Sequence, residues 1–205
     1  MTRKFMIAIP TYTGLVAVEC MVSVIGLCQK LANVGIEFEI VTRNYDGNIA
    51  RARNALCHHF LQSSCTHMLF VDDDMKFHEG HIFKMIVATD FDGIIGALCP
   101  RKNMSTGNGV YDCYQPRKAR AENTDTLYEA YRVGTGIMLI PRQVLEQLDV
   151  GVIDGHKTFF EFVTVANQGY LSEDYYFCDL VHNAGFGVAV AMWTDVSHMG
   201  RYCYK

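Results

Sequence analysis

The sequence predicts one α/β domain built on a mixed sheet. Three observations carry that expectation. Short apolar runs alternate with segments of helical periodicity through the N-terminal half, the pattern of parallel strands joined by crossover helices. The second half mixes shorter strands and helices, so the sheet is not purely parallel. The 205 residues contain no internal repeat and no linker that would divide them, and that length suits one domain with a full core.

In chain order, residues 5–9 (FMIAI) are an apolar run closed by Pro10, as in a buried strand. Gly14 breaks the chain. Leu15, Val18, Val22, Ile25, Cys28 and Leu31 then recur at helical spacing, with Gly35 just past the end. Residues 36–42 (IEFEIVT) alternate apolar and acidic, as a half-exposed strand does. Asp46-Gly47 marks a turn, and 48–62 reads as a second helix with Ile49, Ala52, Leu56 and Phe60 on one face. Residues 67–71 (HMLFV) form a strand that runs straight into Asp72, Asp73 and Asp74. A short helix over 79–88 and a strand over 92–98 follow. Residues 99–126 are polar, with basic residues at Arg101, Lys102, Arg117, Lys118 and Arg120; a stretch that long without regular structure is usually functional. Strands at 127–133 and 136–140 flank Gly134-Thr135-Gly136, and Pro141 is expected as the first residue of a helix over 141–148. Residues 157–166 read as extended. A helix over 172–184 has Ser172 as its N-cap and Glu173 and Asp174 in its first turn. The last strand is 187–193.

Composition excludes several classes. Half the residues are hydrophobic and 20% are charged, which no disordered chain combines. Lys plus Arg is 18 against 22 Asp plus Glu, a net charge of -4. That balance argues against binding a nucleic-acid polymer, which a basic field would hold. A single nucleotide stays possible, because a metal ion can supply the positive charge. No apolar run reaches about 18 residues, so no membrane span is expected. The first segment meets Pro10 and Gly14 too early for a secretory leader. The eight cysteines form no CxxC pair, which speaks against zinc and for reduced thiols in a cytoplasmic compartment.

Ligands of open α/β sheets bind beyond the carboxyl ends of the strands. Here those ends carry Pro10-Thr11-Tyr12, Thr42-Arg43-Asn44, Asp72-Asp73-Asp74, and Thr194-Asp195 followed by His198. Three consecutive carboxylates repel one another, and a divalent cation relieves that repulsion. Oxygen ligands suit Mg²⁺ or Mn²⁺, which bridge one or two carboxylates to phosphates. Strand alternation puts Asp72 and Asp74 on one side and turns Asp73 towards the scaffold. The competing reading is a solvated acidic turn that caps the next helix. The apolar strand directly before the acids favours the metal.

LFVDDDM resembles the DxD motif of GT-A glycosyltransferases, a Rossmann-like fold of nucleotide-diphospho-sugar transferases. AIPTYTG resembles that fold's first strand and nucleotide loop, NIARARN its arginine-bearing helix, and GIIGALCPRKN the strand and loop after the motif. VGTGIMLIPRQVLEQL resembles the sugar-pocket strand and helix, LSEDYYFCDLVHNAGF the acidic "ED" helix, and SHMG the C-terminal His-x-Gly. The resemblance covers nearly the whole chain and is strongest to viral members that decorate a capsid protein. It implies one catalytic domain over 1–205, the N-terminal part of a longer protein, in the host cytoplasm if viral.

The resemblance also implies roles. Asp72 lies near ribose or metal, Asp74 is the metal ligand, and His198 completes the metal shell; a surface histidine is the alternative for His198. Pro10, Thr11 and Tyr12 hold base and ribose, and Arg43 or Arg53 reaches base or diphosphate. Gly134, Thr135 and Gly136 line the sugar pocket. Asp174, favoured over Glu173, takes the acceptor hydroxyl's proton; both acids could instead serve only the helix dipole. The implied reaction moves a hexose or deoxyhexose from a nucleotide-diphosphate sugar, UDP-sugar first, to a hydroxyl of a glycan or glycoprotein. Mn²⁺ or Mg²⁺ is the implied cofactor. Stereochemical outcome stays open. Two alternatives remain: a sugar-1-phosphate nucleotidyltransferase, although AIPTYTG has one Gly and no Lys or Arg for a triphosphate, and a non-catalytic nucleotide-sugar-binding module.

Overall fold

The computed structural model describes residues 3–88, 91–100, 102, 114–116, 126–153, 155–165, 169–200 and 203–204. The chain begins β1 (Lys4–Thr11), α1 (Val18–Asn33), β2 (Glu37–Asn44), α2 (Ile49–Gln62) and β3 (His67–Val71). Next come β4 (Met75–Phe77), α3 (Glu79–Val87), β5 (Gly93–Ala97), β6 (Tyr114–Pro116), β7 (Leu127–Val133), β8 (Ile137–Pro141) and α4 (Arg142–Gln147). Four short strands follow, β9 (Val152–Ile153), β10 (His156–Lys157), β11 (Val163–Val165) and β12 (Gly169–Leu171). The chain closes with α5 (Glu173–Asn183), β13 (Gly187–Ala191), β14 (Val196–Met199) and β15 (Cys203–Tyr204).

The central sheet has eight strands in the order β2-β1-β3-β8-β5-β13-β7-β6. β1 pairs parallel with β2 and β3, and β5 parallel with β13. β8 runs antiparallel between β3 and β5, and β7 antiparallel to β13. The sheet is therefore mixed, as the sequence predicts. Its central strands are buried on both faces, which is why they read as unbroken apolar runs. Phe5, Ile7, Leu69 and Val71 face α1 and α3 in one core, while Met6, Ala8, Met68 and Phe70 face α2, α4 and α5 in the other.

Three local expectations change. Pro141 ends β8 and caps α4 with extended backbone (φ -66°, ψ 144°), so it precedes the helix instead of opening it. The apolar spacing in α1 does mark a helix, but Val18, Val22 and Ile25 point outward; the core takes Cys20, Val24, Leu27 and Leu31. After β3 the chain turns at Asp73 and Asp74, and the next three residues are a strand that the sequence does not announce. They form β4, which joins β14 and β15 in a second small sheet. Cys20, Cys28, Cys57, Cys65, Cys99 and Cys178 are free thiols, in line with the reduced reading. Among the described residues no helix is long and apolar enough to cross a membrane.

Candidate functional site

The acidic triplet sits where two sheets meet. β8 runs against β3, so its start lies beside the end of β3, and the Asp72 N–H donates to the Gly136 carbonyl at 2.9 Å. A Cβ at Gly136 would come within 2.8 Å of the Met75 Cε and 3.2 Å of the Cys99 Sγ, so a side chain here would have to displace the Met75 methyl. In the small sheet His198 is registered against Met75, and the Met199 N–H donates to the Asp74 carbonyl at 2.7 Å. That pairing delivers His198 to Asp74.

The three acids have separate partners. The Asp72 carboxylate accepts from Arg53 Nη2 at 3.0 and 3.1 Å. Arg53 Nη1 also pairs with Glu173, so one buried guanidinium bridges the strand end and the first turn of α5. Burial pushes the carboxyls of Asp72 and Glu173 up from their ordinary values, with Arg53 opposing. Burial also works against the charge on Arg53, but the carboxylates outweigh it and raise its pKa. Asp73 turns to the scaffold, where desolvation raises its carboxyl and the nearby Thr11 opposes this. Asp74 Oδ1 lies 3.1 Å from His198 Nε2, and Oδ2 pairs with the Lys102 ammonium. Burial raises the Asp74 carboxyl, but these two partners more than offset it and hold it below its usual range.

The donor set at Asp74 fits a divalent cation. His198 Nδ1 is 3.1 Å from the Pro100 carbonyl, which can only accept, so Nδ1 carries a proton. Nε2 then faces the Asp74 oxygen either with a second proton or with its lone pair on a cation. A metal-bound histidine typically donates its other N–H to a carbonyl in this way. Both Asp72 oxygens accept from Arg53, just as the Asp74 oxygens are engaged by His198 and Lys102. Among the described residues no group of three or more His, Cys, Asp or Glu is drawn together as a metal cage. Asp74 and His198 would supply two positions, and phosphate or water would have to supply the rest, as is common for Mg²⁺.

A cavity of about 370 Å³ opens beside this pair; His198 lines it and Asp74 does not. It is lined by Arg53, Asp72, Gly134, Thr135, Gly136, Glu173, Asp174 and His198, together with Lys102. The Asp174 carboxylate is held at the start of α5 by the Ser172 hydroxyl and by the Tyr175 N–H at 2.8 Å. Ser172 is thus the N-cap residue without a side-chain bond to the helix backbone. The Thr135 hydroxyl and Arg53 Nε are buried with no hydrogen-bond partner among the described residues.

Pro10, Thr11, Tyr12 and Arg43 do not line this cavity. The Thr11 hydroxyl builds its own turn, donating to the Leu15 carbonyl at 2.9 Å and accepting from the Gly14 N–H at 3.1 Å. Tyr12 is 72% exposed at the end of β1 and covers Gly47. Tyr45 is also exposed, with its ring over Gly14, where φ is +76°. Arg43 and Arg51 both pair with the buried Asp46. The Arg53 bridge joins residues 19 and 120 positions apart, which no local sequence signal encodes. Arg101, Arg117, Lys118 and Arg120 lie outside the described residues.

No protein-family model and no curated protein sequence matches the chain. Solved structures do. STIV protein A197 aligns over 96% of this chain and 86% of its own, with TM-score 0.56 and 16% identity. A Drosophila β-1,4-galactosyltransferase 7 mutant in complex with manganese, UDP-Gal and xylobiose aligns over 97% and 71%, with TM-score 0.52 and 15% identity. The inositol-1-phosphate CTP transferase of T. maritima aligns over 94% and 88%, with TM-score 0.51 and 11% identity. A glycosyltransferase involved in glycosylation of the major capsid of PBCV-1 gives TM-score 0.38 and 7% identity over 69% of the chain, so the viral resemblance adds nothing. The fold is that of the GT-A nucleotide-sugar transferases.

Proposed function

We propose that the chain is a metal-dependent glycosyltransferase that moves a hexose or deoxyhexose from a UDP-sugar to a hydroxyl of a glycan or glycoprotein. The observation that carries the reading is the pair Asp74 and His198, with His198 Nδ1 committed to the Pro100 carbonyl and Nε2 aimed at the Asp74 carboxylate. Fold likeness to a galactosyltransferase complexed with manganese and UDP-Gal supports it.

Asp74 and His198 would hold the cation. When bound there, Mn²⁺ or Mg²⁺ supplies Lewis acidity to the departing diphosphate. Lys102 adds a second positive charge beside Asp74. Arg53 keeps Asp72 fixed at the cavity wall. Gly134, Thr135 and Gly136 face the sugar, and the unpartnered Thr135 hydroxyl is available to one of its hydroxyls. Glu173 is tied to Arg53, so Asp174 is the carboxylate left to hold the acceptor's proton.

The likeness to a cytidylyltransferase concerns the same fold. The turn after β1 offers no Lys or Arg for a triphosphate, so that alternative has no residue of its own. A panel of nucleotide sugars with Mn²⁺, scored for donor hydrolysis, tests the reaction class. One UDP-sugar should be hydrolysed and should be left intact by Asp74→Asn, a variant that should still fold. Hydrolysis of none, or full turnover in the variant, would refute the assignment.

A further inference from the structure

A second and larger cavity, about 620 Å³, lies on the other side of α2 from Arg53. Its walls are the N-terminal half of α2 on one side and Ile153, His156, Thr158 and residues 160–162 on the other. The volume is in the range of small-molecule sites.

Most of its polar groups are already engaged. Arg51 binds Asp46 through two nitrogens at 3.0 and 2.7 Å, and Arg43 reaches the same carboxylate at 3.5 Å. The Asn54 amide accepts from the N–H groups of Phe159 and Phe160 and donates to the Phe160 carbonyl, all at 2.9 Å. The Thr158 hydroxyl donates to the Gly151 carbonyl at 3.0 Å.

Besides the exposed His156 imidazole, two features remain open to a ligand. The Phe162 ring is 58% exposed and so presents a bare aromatic surface. The Glu161 carboxylate next to it has no hydrogen bond or ion pair among the described residues. Arg43 and Arg51 face the carboxylates of Asp46 and Glu161, so the described charged groups around the cavity sum to zero and favour a ligand without net charge. A free carboxylate accepts from hydroxyl groups, and an aromatic face with its negative quadrupole attracts C–H edges. A ligand with hydroxyls on its rim and C–H bonds on its face matches both.

We propose that this cavity binds one neutral pyranose ring, stacked on Phe162 and hydrogen-bonded to Glu161. That the ring belongs to the acceptor glycan rests on the glycosyl-transfer reading; the binding itself does not.

The test uses the chain without donor or metal. Amide ¹H–¹⁵N spectra are followed while methyl glycosides of glucose, galactose, mannose, xylose and fucose are titrated in, with uridine as a separate arm. At least one glycoside should give saturable shifts at Ile153, His156, Glu161 and Phe162. Phe162→Ala should weaken that affinity about tenfold, a difference of about 1.4 kcal/mol, with the melting temperature unchanged. Glu161→Gln should weaken it as well. No saturable shift with any glycoside, equal affinity in Phe162→Ala, or a response to uridine at the same amides would overturn the proposal. The outcome is independent of donor hydrolysis, so this proposal and the assigned reaction can fail separately.

Discussion

Arg53 is the residue on which the site geometry depends. It is 4% exposed, and its fork holds Asp72 and Glu173 at once. A lysine has one compact ammonium and cannot span both carboxylates. Arg53→Lys should therefore leave a buried carboxylate unpaired and cost about 3 kcal/mol or more in a denaturant titration; a loss below about 1 kcal/mol would show that the bridge is dispensable. Asp46 allows a test by pH. The Arg51 hydrogen bond outranks burial and holds the Asp46 carboxyl below its ordinary value of 3.8. A depressed acid stabilises the fold fully above its unfolded value and loses that contribution as pH falls through the folded one. Melting temperatures followed from about pH 5 to about pH 2 should fall less steeply in Asp46→Asn than in the parent chain. Parallel curves would remove Asp46 from the account. At this scale the sequence shows which residues carry chemistry but not their partners. Asp72 and Asp74 stand out because they follow an apolar strand. Lys102 and Glu173 acquire their partners only through long-range folding.

Elements were more legible than residues, because periodicity is a local property. The spans of α2 and β3 were expected within a residue of where they lie. The exceptions are instructive. The 3.6-residue spacing of Val18, Val22 and Ile25 is real, but it identifies the helix and not its buried side. The inward face of α1 is carried by Cys20, Val24, Leu27 and Leu31, whose small or sulfur-bearing members blur the pattern. Val22→Thr should then change stability by no more than about 0.5 kcal/mol, as surface substitutions do. Leu27→Ala should cost about 2–5 kcal/mol. Chemical denaturation of both variants decides the matter, and a reversed order would contradict the packing. β4 and β14 escaped because three or four residues carry too little pattern to announce a strand. That omission matters, since their pairing is what brings His198 to Asp74 across 124 positions of sequence.

At the scale of the whole molecule, the mixed sheet explains why one edge holds the chemistry. β1, β3 and β5 run the same way and β8 runs against them, so strand ends and a strand start meet at the acidic triplet. The net charge of -4 is therefore a poor guide to ligands, because the acids that matter are concentrated at one place and are paired there with Arg53, Lys102 and His198. On the proposed function, Asp74 and His198 would hold a divalent cation on which binding of a nucleoside diphosphate depends. Calorimetric titration of UDP into the chain, once with Mn²⁺ and once with EDTA, tests it directly. Tight binding with Mn²⁺ and at least about a tenfold loss with EDTA, a difference of about 1.4 kcal/mol, is the predicted result. Equal affinity under the two conditions would contradict the claim.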